Sequence, residues 1–179
     1  MKVLLVSTCK EKLSEREFVT PISYILDSVS HQILHYSKST REIVNSFDKI
    51  IICGTSLQDN KYRNDLDFFK ELFYEFPGPI LGICSGMQIV CSVFGSQLIT
   101  NSEIGMVDVK TLEKNILSEG KFQVYNIHNT SVNNLDNFTT LAASETSVQI
   151  VKHKNKDIFG VSFHPEVRNE NIVSNFLKI

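Results

Sequence analysis

The chain has 179 residues, 42% of them hydrophobic and 21% charged, with a formal net charge of −2. That length suits one domain, residues 1–179, with a sizeable core, and the near-neutral balance offers no electrostatic attraction for nucleic acid or a membrane surface. No segment reaches the ~18 uninterrupted apolar residues of a membrane span. The N-terminal MKVLLVSTCKEK has too short an apolar stretch for a signal peptide. Its four cysteines, Cys9, Cys53, Cys84 and Cys91, show neither CxxC pairing nor zinc spacing with the histidines. A chain this long needs no disulfide staples, so reduced thiols and a cytoplasmic location are expected, with no metal.

Val3 to Val6 is a short continuous apolar run and reads as a buried central strand. Thr20-Pro21 reads as an N-cap followed by proline at the first helical position, with Ile22, Ile25, Leu26 and Val29 at helical spacing behind it. DKIIICG (48–54) is a second buried strand. Leu66, Phe69 and Phe73 share one face of a helix expected within 60–76, before Pro77-Gly78-Pro79. ILGIC is a third strand. Met87, Val90, Cys91 and Phe94 then recur at i, i+3, i+4 and i+7, marking an amphipathic helix closed by Gly95.

To this point strands alternate with helices, which predicts an α/β fold in three layers (αβα), a largely parallel sheet covered on both faces. The second half changes character. FQVYNIH (122–128), VQIVKH (148–153) and IFGVSFH (158–164) read as antiparallel additions to that sheet, and 171–179 as a closing helix. Lys152, Lys154 and Lys156 read as a solvated edge that includes His153, and Cys9, in a polar segment, reads as exposed.

The stretch GICSG places Cys84 between two glycines, at the end of a strand and the start of a helix. This is the form of a nucleophile elbow, in which small residues allow a strained turn to lift the nucleophile clear of the sheet. The following helix directs its free N–H groups and dipole at the sulfur and favours a thiolate. The Ser85 N–H stands where a developing oxyanion would form. Cys84 as a small buried strand end is the competing reading, and it fits Cys53 and Cys91, which lack the glycine setting.

A nucleophilic cysteine needs a base, and the base an orienting group. His31 and His35 stand in a segment with no other chemical signal. His164 lies in VSFHPEV, where Pro165 fixes a bend that lets His164 and Glu166 converge instead of alternating across a strand. The carboxylate can then hold the imidazole tautomer that accepts the thiol proton. Read alone, H-P-E also fits a capped turn with an exposed acid.

Together, GICSGMQ and the later GVSFHPEV resemble the class I, or triad, glutamine amidotransferases. The likeness runs from the first strand to the terminal NFLK segment. It implies that Cys84 attacks the side-chain amide of glutamine, His164 relays the proton to departing ammonia, and Glu166 orients His164. A glutamyl thioester is the intermediate, and no cofactor is called for. Gln88 matches the family glutamine that contacts substrate, one helical turn from Cys84.

Other segments depart from the family pattern. ICGTSLQDN replaces a glycine-rich turn, so Gly54 matches, as a residue at the substrate site, and Thr55 takes the position of the second oxyanion donor, beside Ser85. NIHNTSV replaces the segment that holds the substrate backbone, so Asn129 and Thr130 are carried over as substrate contacts. Met87 and Ser162 stand where histidine and glutamine are common.

The stretch VKHKNKDIFGVSFHPEV looks most like the glutaminase subunit of two-subunit GMP synthetases. That likeness implies that the partner is an ATP-dependent synthetase subunit, which uses the ammonia to aminate XMP. The chain itself contains no G-x-x-x-x-G-K-[ST] loop. Two other readings fit the same residues: a γ-glutamyl hydrolase on the same fold, and a catalytically silent glutamine-binding homologue. An intact Cys84, His164 and Glu166 speaks against the silent homologue.

Overall fold

The structure, a computed structural model, describes residues 1–179. Nine strands form one sheet: β1 (Lys2–Ser7), β2 (Ser30–His35), β3 (Lys49–Ile52), β4 (Ile80–Ile83), β5 (Gln97–Thr111), β6 (Lys121–Asn133), β7 (Phe138–Ala143), β8 (Val148–His153) and β9 (Ile158–Val161). Their order is β2-β1-β3-β4-β9-β8-β7-β5-β6. The first five in that order are parallel. The rest pair antiparallel.

Alternation along the parallel strands divides the core between the two faces of the sheet. Val3 and Leu5 of β1, Ile51 of β3, Leu81 and Ile83 of β4 and Phe159 and Val161 of β9 face one side. There they meet Ile22 of helix α2 (Thr20–Ile25), which follows the short α1 (Glu15–Phe18), and Ile172, Val173 and Phe176 of α6 (Asn171–Phe176). Leu4, Val6, Ile50, Ile52, Ile80 and Ile158 face the other side, under α4 (Leu66–Glu75) and α5 (Ser85–Val93). Val44 of the short α3 (Arg41–Val44) joins this second core. Each fully buried Ile, Leu or Phe here contributes about 1.5–3 kcal/mol. The α/β class and the helix-covered parallel sheet match the expectation from sequence.

Several local expectations are corrected. IFGVSFH supplies β9, which pairs in parallel with β4 and antiparallel with β8. It is thus the fifth parallel strand and not an antiparallel addition. The chain leaves the sheet's centre after α5, builds β5 to β8, and returns beside β4. Strands β2, β5 and β7 carried no clear sequence signal. β2 is an edge strand of mixed exposure, and β5 exposes every other residue over much of its length. Thr20 lies inside α2, with Val19 as the N-cap. The segment expected as one helix over 60–76 is a 3₁₀ turn, Lys61–Asp65, followed by α4.

Cys9 is buried, not exposed, and its thiol points at the Gly54 carbonyl at 3.8 Å. His153 is also buried, packed on the rings of Phe94 and Phe138. Gly95 (φ 89°) does close α5. The four thiols are free. No helix is long and apolar enough to cross a membrane.

Candidate active site

β4 runs straight into α5, and Cys84 is the joint. Its backbone sits at φ 51°, ψ −105°, a conformation unusual for any residue but glycine, which stores about 1–3 kcal/mol of strain. Two contacts hold it there: the Cys84 N–H donates to Val161 of β9 at 2.8 Å, and its carbonyl accepts from the Gln88 N–H at 3.1 Å. The flanking glycines are required by close approach. A Cβ on Gly82 would lie 2.4 Å from the Gly86 carbonyl oxygen, and one on Gly86 would lie 2.3 Å from that of Ile52. Both distances are far inside contact range, so only glycines let α5 begin this close to β3 and β4. Cys84 is 5% exposed, and its sulfur lies 4.0 Å from the Ile127 carbonyl oxygen on β6.

His164 follows β9, and its N–H donates to the Tyr125 carbonyl of β6 at 2.9 Å. Its Nδ1 stands 2.8 Å from Glu166 Oε1, and each of the two side chains is 1% exposed. The bend at Pro165 thus brings the two groups together in the interior, and the reading of an exposed acid does not apply. The Phe18 ring packs 5.4 Å from the imidazole. Nε2 is buried and makes no hydrogen bond. Burial by itself pushes the His164 pKa down, but the Cys84 side chain and the Glu166 carboxylate outweigh it and raise the pKa to about 10. The ring is therefore an imidazolium, a proton donor, at neutral pH. Gly54 is the wall beside both groups: a Cβ there would come within 2.8 Å of His164 Cε1 and 3.4 Å of Cys84 Cβ.

The backbone N–H groups of Ser85 and Thr55 make no hydrogen bond with the rest of the chain. Both residues line one cavity with Cys84, Gln88, His128 and Asn129. The Thr55 side chain donates to Asp59 Oδ2 at 2.9 Å, which also accepts the Lys10 N–H. Threonine in this turn is therefore held by a side-chain bond that glycine could not make. Both ends of the Gln88 amide are engaged. Its Oε1 accepts from Tyr62 at 3.1 Å and Arg63 at 3.2 Å, and its Nε2 donates to the Thr130 carbonyl at 3.2 Å. Thr130 donates to the exposed Asn129 side chain at 3.1 Å.

Glu103 and His128 are residues the sequence did not single out together. They face each other across β5 and β6, with His128 Nε2 3.3 Å from Glu103 Oε2. Glu103 accepts from Asn126, Ser144, Thr146, Ser147 and Gln149. Burial raises the Glu103 pKa, but the bonds from Ser144, Thr146, Ser147 and Gln149 outweigh it, and the net shift is downward. Burial lowers the pKa of His128, despite the carboxylate. Only the hairpin register could have revealed this pair, and β5 was not legible as a strand.

The chain matches the family model for class I glutamine amidotransferases over residues 23–178. It belongs to the class I glutamine amidotransferases. Among curated relatives, it is 32% identical to a glutamine-hydrolysing GMP synthase subunit of Pyrococcus abyssi, covering 83% of this chain and 93% of that one. It is 36% identical to the protein of the same name from Thermococcus kodakarensis, covering 78% of this chain and 77% of the relative. Its fold matches a crystal structure from Thermoplasma acidophilum, likewise described as a GMP synthase subunit. The TM-score is 0.87 at 24% identity, over 99% of this chain and 92% of that one. This amidotransferase is thus a glutamine-hydrolysing enzyme by family, built on the family's α/β fold.

Proposed function

We propose that this amidotransferase hydrolyses glutamine through Cys84, His164 and Glu166 and delivers the ammonia to a separate ATP-dependent GMP synthetase subunit, which aminates XMP. The observation that carries the chemistry is the strained Cys84 elbow beside a buried His164–Glu166 pair. The likeness to two proteins named as glutamine-hydrolysing GMP synthase subunits supports the acceptor. Residues 1–179 would act as one glutaminase domain.

In this reading His164 already carries the proton, and the Cys84 sulfur, as the thiolate beside that imidazolium, attacks the side-chain carbonyl carbon of glutamine. The negative oxygen of the tetrahedral adduct is met by the N–H groups of Ser85 and Thr55, which have no other partner. His164 gives its proton to the amide nitrogen, the C–N bond breaks, and ammonia leaves a glutamyl thioester. Water, deprotonated by His164, then adds to the thioester; glutamate departs, and the Cys84 thiolate beside the protonated His164 is restored. Glu166 holds the imidazole throughout. Gln88, Asn129 and Thr130 form the wall against which the substrate side chain lies, with Gly54 closing the side next to His164.

The test is reconstitution with the ATP-dependent subunit. Cys84→Ala should abolish GMP formation from glutamine and leave formation from added ammonium intact. A glutamine-analogue alkylating reagent should label Cys84. Burial holds the pKa values of Cys9, Cys53 and Cys91 up, so these thiols should not react. Steady turnover of γ-glutamyl peptides, with no activation by the synthetase, would instead mark a γ-glutamyl hydrolase.

A further inference from the structure

The cavity at Cys84 contains one carboxylate and one guanidinium, Asp59 and Arg63, to which neither the reaction steps above nor the family motifs give a role. Asp59 is 5% exposed. Its Oδ2 is satisfied by Thr55 and Lys10, but its Oδ1 is buried and has no partner. Arg63 spends Nη2 on Gln88 Oε1 at 3.2 Å and Thr130 Oγ1 at 3.4 Å, while its Nε is buried and has no partner. The two residues stand on one 3₁₀ turn and its approach, yet no ion pair joins them. A buried acceptor and a buried donor, each on a charged group and each left open, are costly unless something fills them.

We infer that Asp59 and Arg63 read the amino-acid end of the substrate, Arg63 taking the α-carboxylate and Asp59 the α-ammonium group. The inference rests on glutamine being the substrate of this cavity. A zwitterion needs one group of each sign at the same cavity, and of the charged side chains lining this one these two supply that pattern. The side-chain amide then reaches toward Cys84 while the head is held at the 3₁₀ turn. Arg63 also bonds Gln88, so the residue that reads the carboxylate is tied to the wall beside the nucleophile. Thr55 is tied to Asp59 in the same way. Correct seating of the head would thus be communicated to both sides of the reacting carbon.

The experiment is a substrate-truncation cycle on the complete enzyme with its synthetase partner. kcat/KM is measured for glutamine, for glutaramate, which lacks the α-ammonium group, and for 4-aminobutanamide, which lacks the α-carboxylate. Wild type should prefer glutamine over each truncated amide by about 10- to 100-fold, the range for a hydrogen bond to a charged group. Asp59→Asn should lose a similar factor for glutamine and nothing further for glutaramate. Arg63→Gln should do the same with respect to 4-aminobutanamide, and Arg63→Lys should show the same pattern with a smaller loss. Equal losses on all three substrates would mean a structural role and overturn the inference. So would wild-type indifference to truncation, a readout that needs no variant to fold. Failure of wild type to turn over glutamine at all would instead overturn the function proposed for the site.

Discussion

Gly54 packs against His164 so closely that a single added methyl group would sit 2.8 Å from the imidazole Cε1. The same methyl would touch Cys84 Cβ at 3.4 Å. The residue therefore sets the space in which the ring and the nucleophile meet, a tighter constraint than the substrate contact that the family pattern suggested for it.

Gly54→Ala is accordingly expected to fold, because local shifts can absorb one methyl at a cost of about 1–3 kcal/mol. Glutamine-dependent kcat should nonetheless fall about 10²-fold, since displacing the ring misaligns proton transfer. Thermal melting and steady-state kinetics on the same preparation check both halves. A variant with full kcat would show that the ring does not need this wall.

The pH profile tests Glu166. His164 is held protonated up to a pKa of about 10, with burial opposing and Cys84 and Glu166 favouring the charged form. The free-histidine pKa is about 6.5, so this interaction stabilises the fold fully below that pH and is lost as pH rises through about 10. Glu166→Gln keeps the shape and removes the charge. The alkaline limb of kcat/KM for glutamine should move to lower pH in the variant, and the stability difference from wild type should shrink at high pH. Matching limbs in the two proteins would exclude Glu166 as the group that holds the imidazolium.

Glu103 makes the opposite prediction. Its pKa is held below the ordinary carboxylate value because the bonds from Ser144, Thr146, Ser147 and Gln149 outweigh the effect of burial. Its contribution to stability is thus present above the unfolded value near 4.5 and is lost as pH falls through the lower, folded one. Glu103→Gln places an amide N–H among donors and should cost about 1.5–3 kcal/mol at pH 7. Denaturant titrations at pH 7 and under acid conditions should show that penalty diminishing with acidity. A penalty independent of pH would mean that shape, not charge, is what the network requires.

What the sequence disclosed and what it concealed follow from the range of the interactions. The elbow at Cys84 and the bend at Pro165 are local: glycine, cysteine and proline at fixed offsets dictate backbone geometry within a few residues. The buried strands β1, β3, β4 and β9 were legible because continuous apolar runs have few other uses. β5 and β7 were not, because long hairpin strands with one wet face carry a weak pattern, and with β5 went the Glu103–His128 pair. Cys9 was misjudged for a related reason. Its neighbours Lys10 to Lys12 are polar, but its own thiol turns inward to the Gly54 carbonyl. The roles of Tyr62 and Arg63 around Gln88 depend on where a 3₁₀ turn lands against α5, which no local pattern encodes.

The free chain is expected to be a poor glutaminase that its partner activates. Several of its groups are placed but not engaged. The Cys84 sulfur lies toward the Ile127 carbonyl at 4.0 Å, and His164 Nε2 makes no hydrogen bond. Gln88 is clamped by Tyr62, Arg63 and Thr130. The segments that bound the cavity, the turn after Thr55 and the β6 stretch through Asn129, are also the places where the chain departs from the family pattern. A small shift of either would enlarge the cavity and free Gln88 to meet the substrate, the kind of gating by which loop motions commit a substrate. Binding of the synthetase with ATP and XMP should therefore raise kcat/KM for glutamine by about 10-fold or more, an order set by a coupling free energy of about 1–3 kcal/mol. Arg63→Lys loosens the clamp on Gln88, and it should narrow the gap between the isolated and partnered chains. Glutamine turnover by the isolated chain at the same kcat/KM with and without the synthetase and its nucleotides would show that the site is complete as it stands.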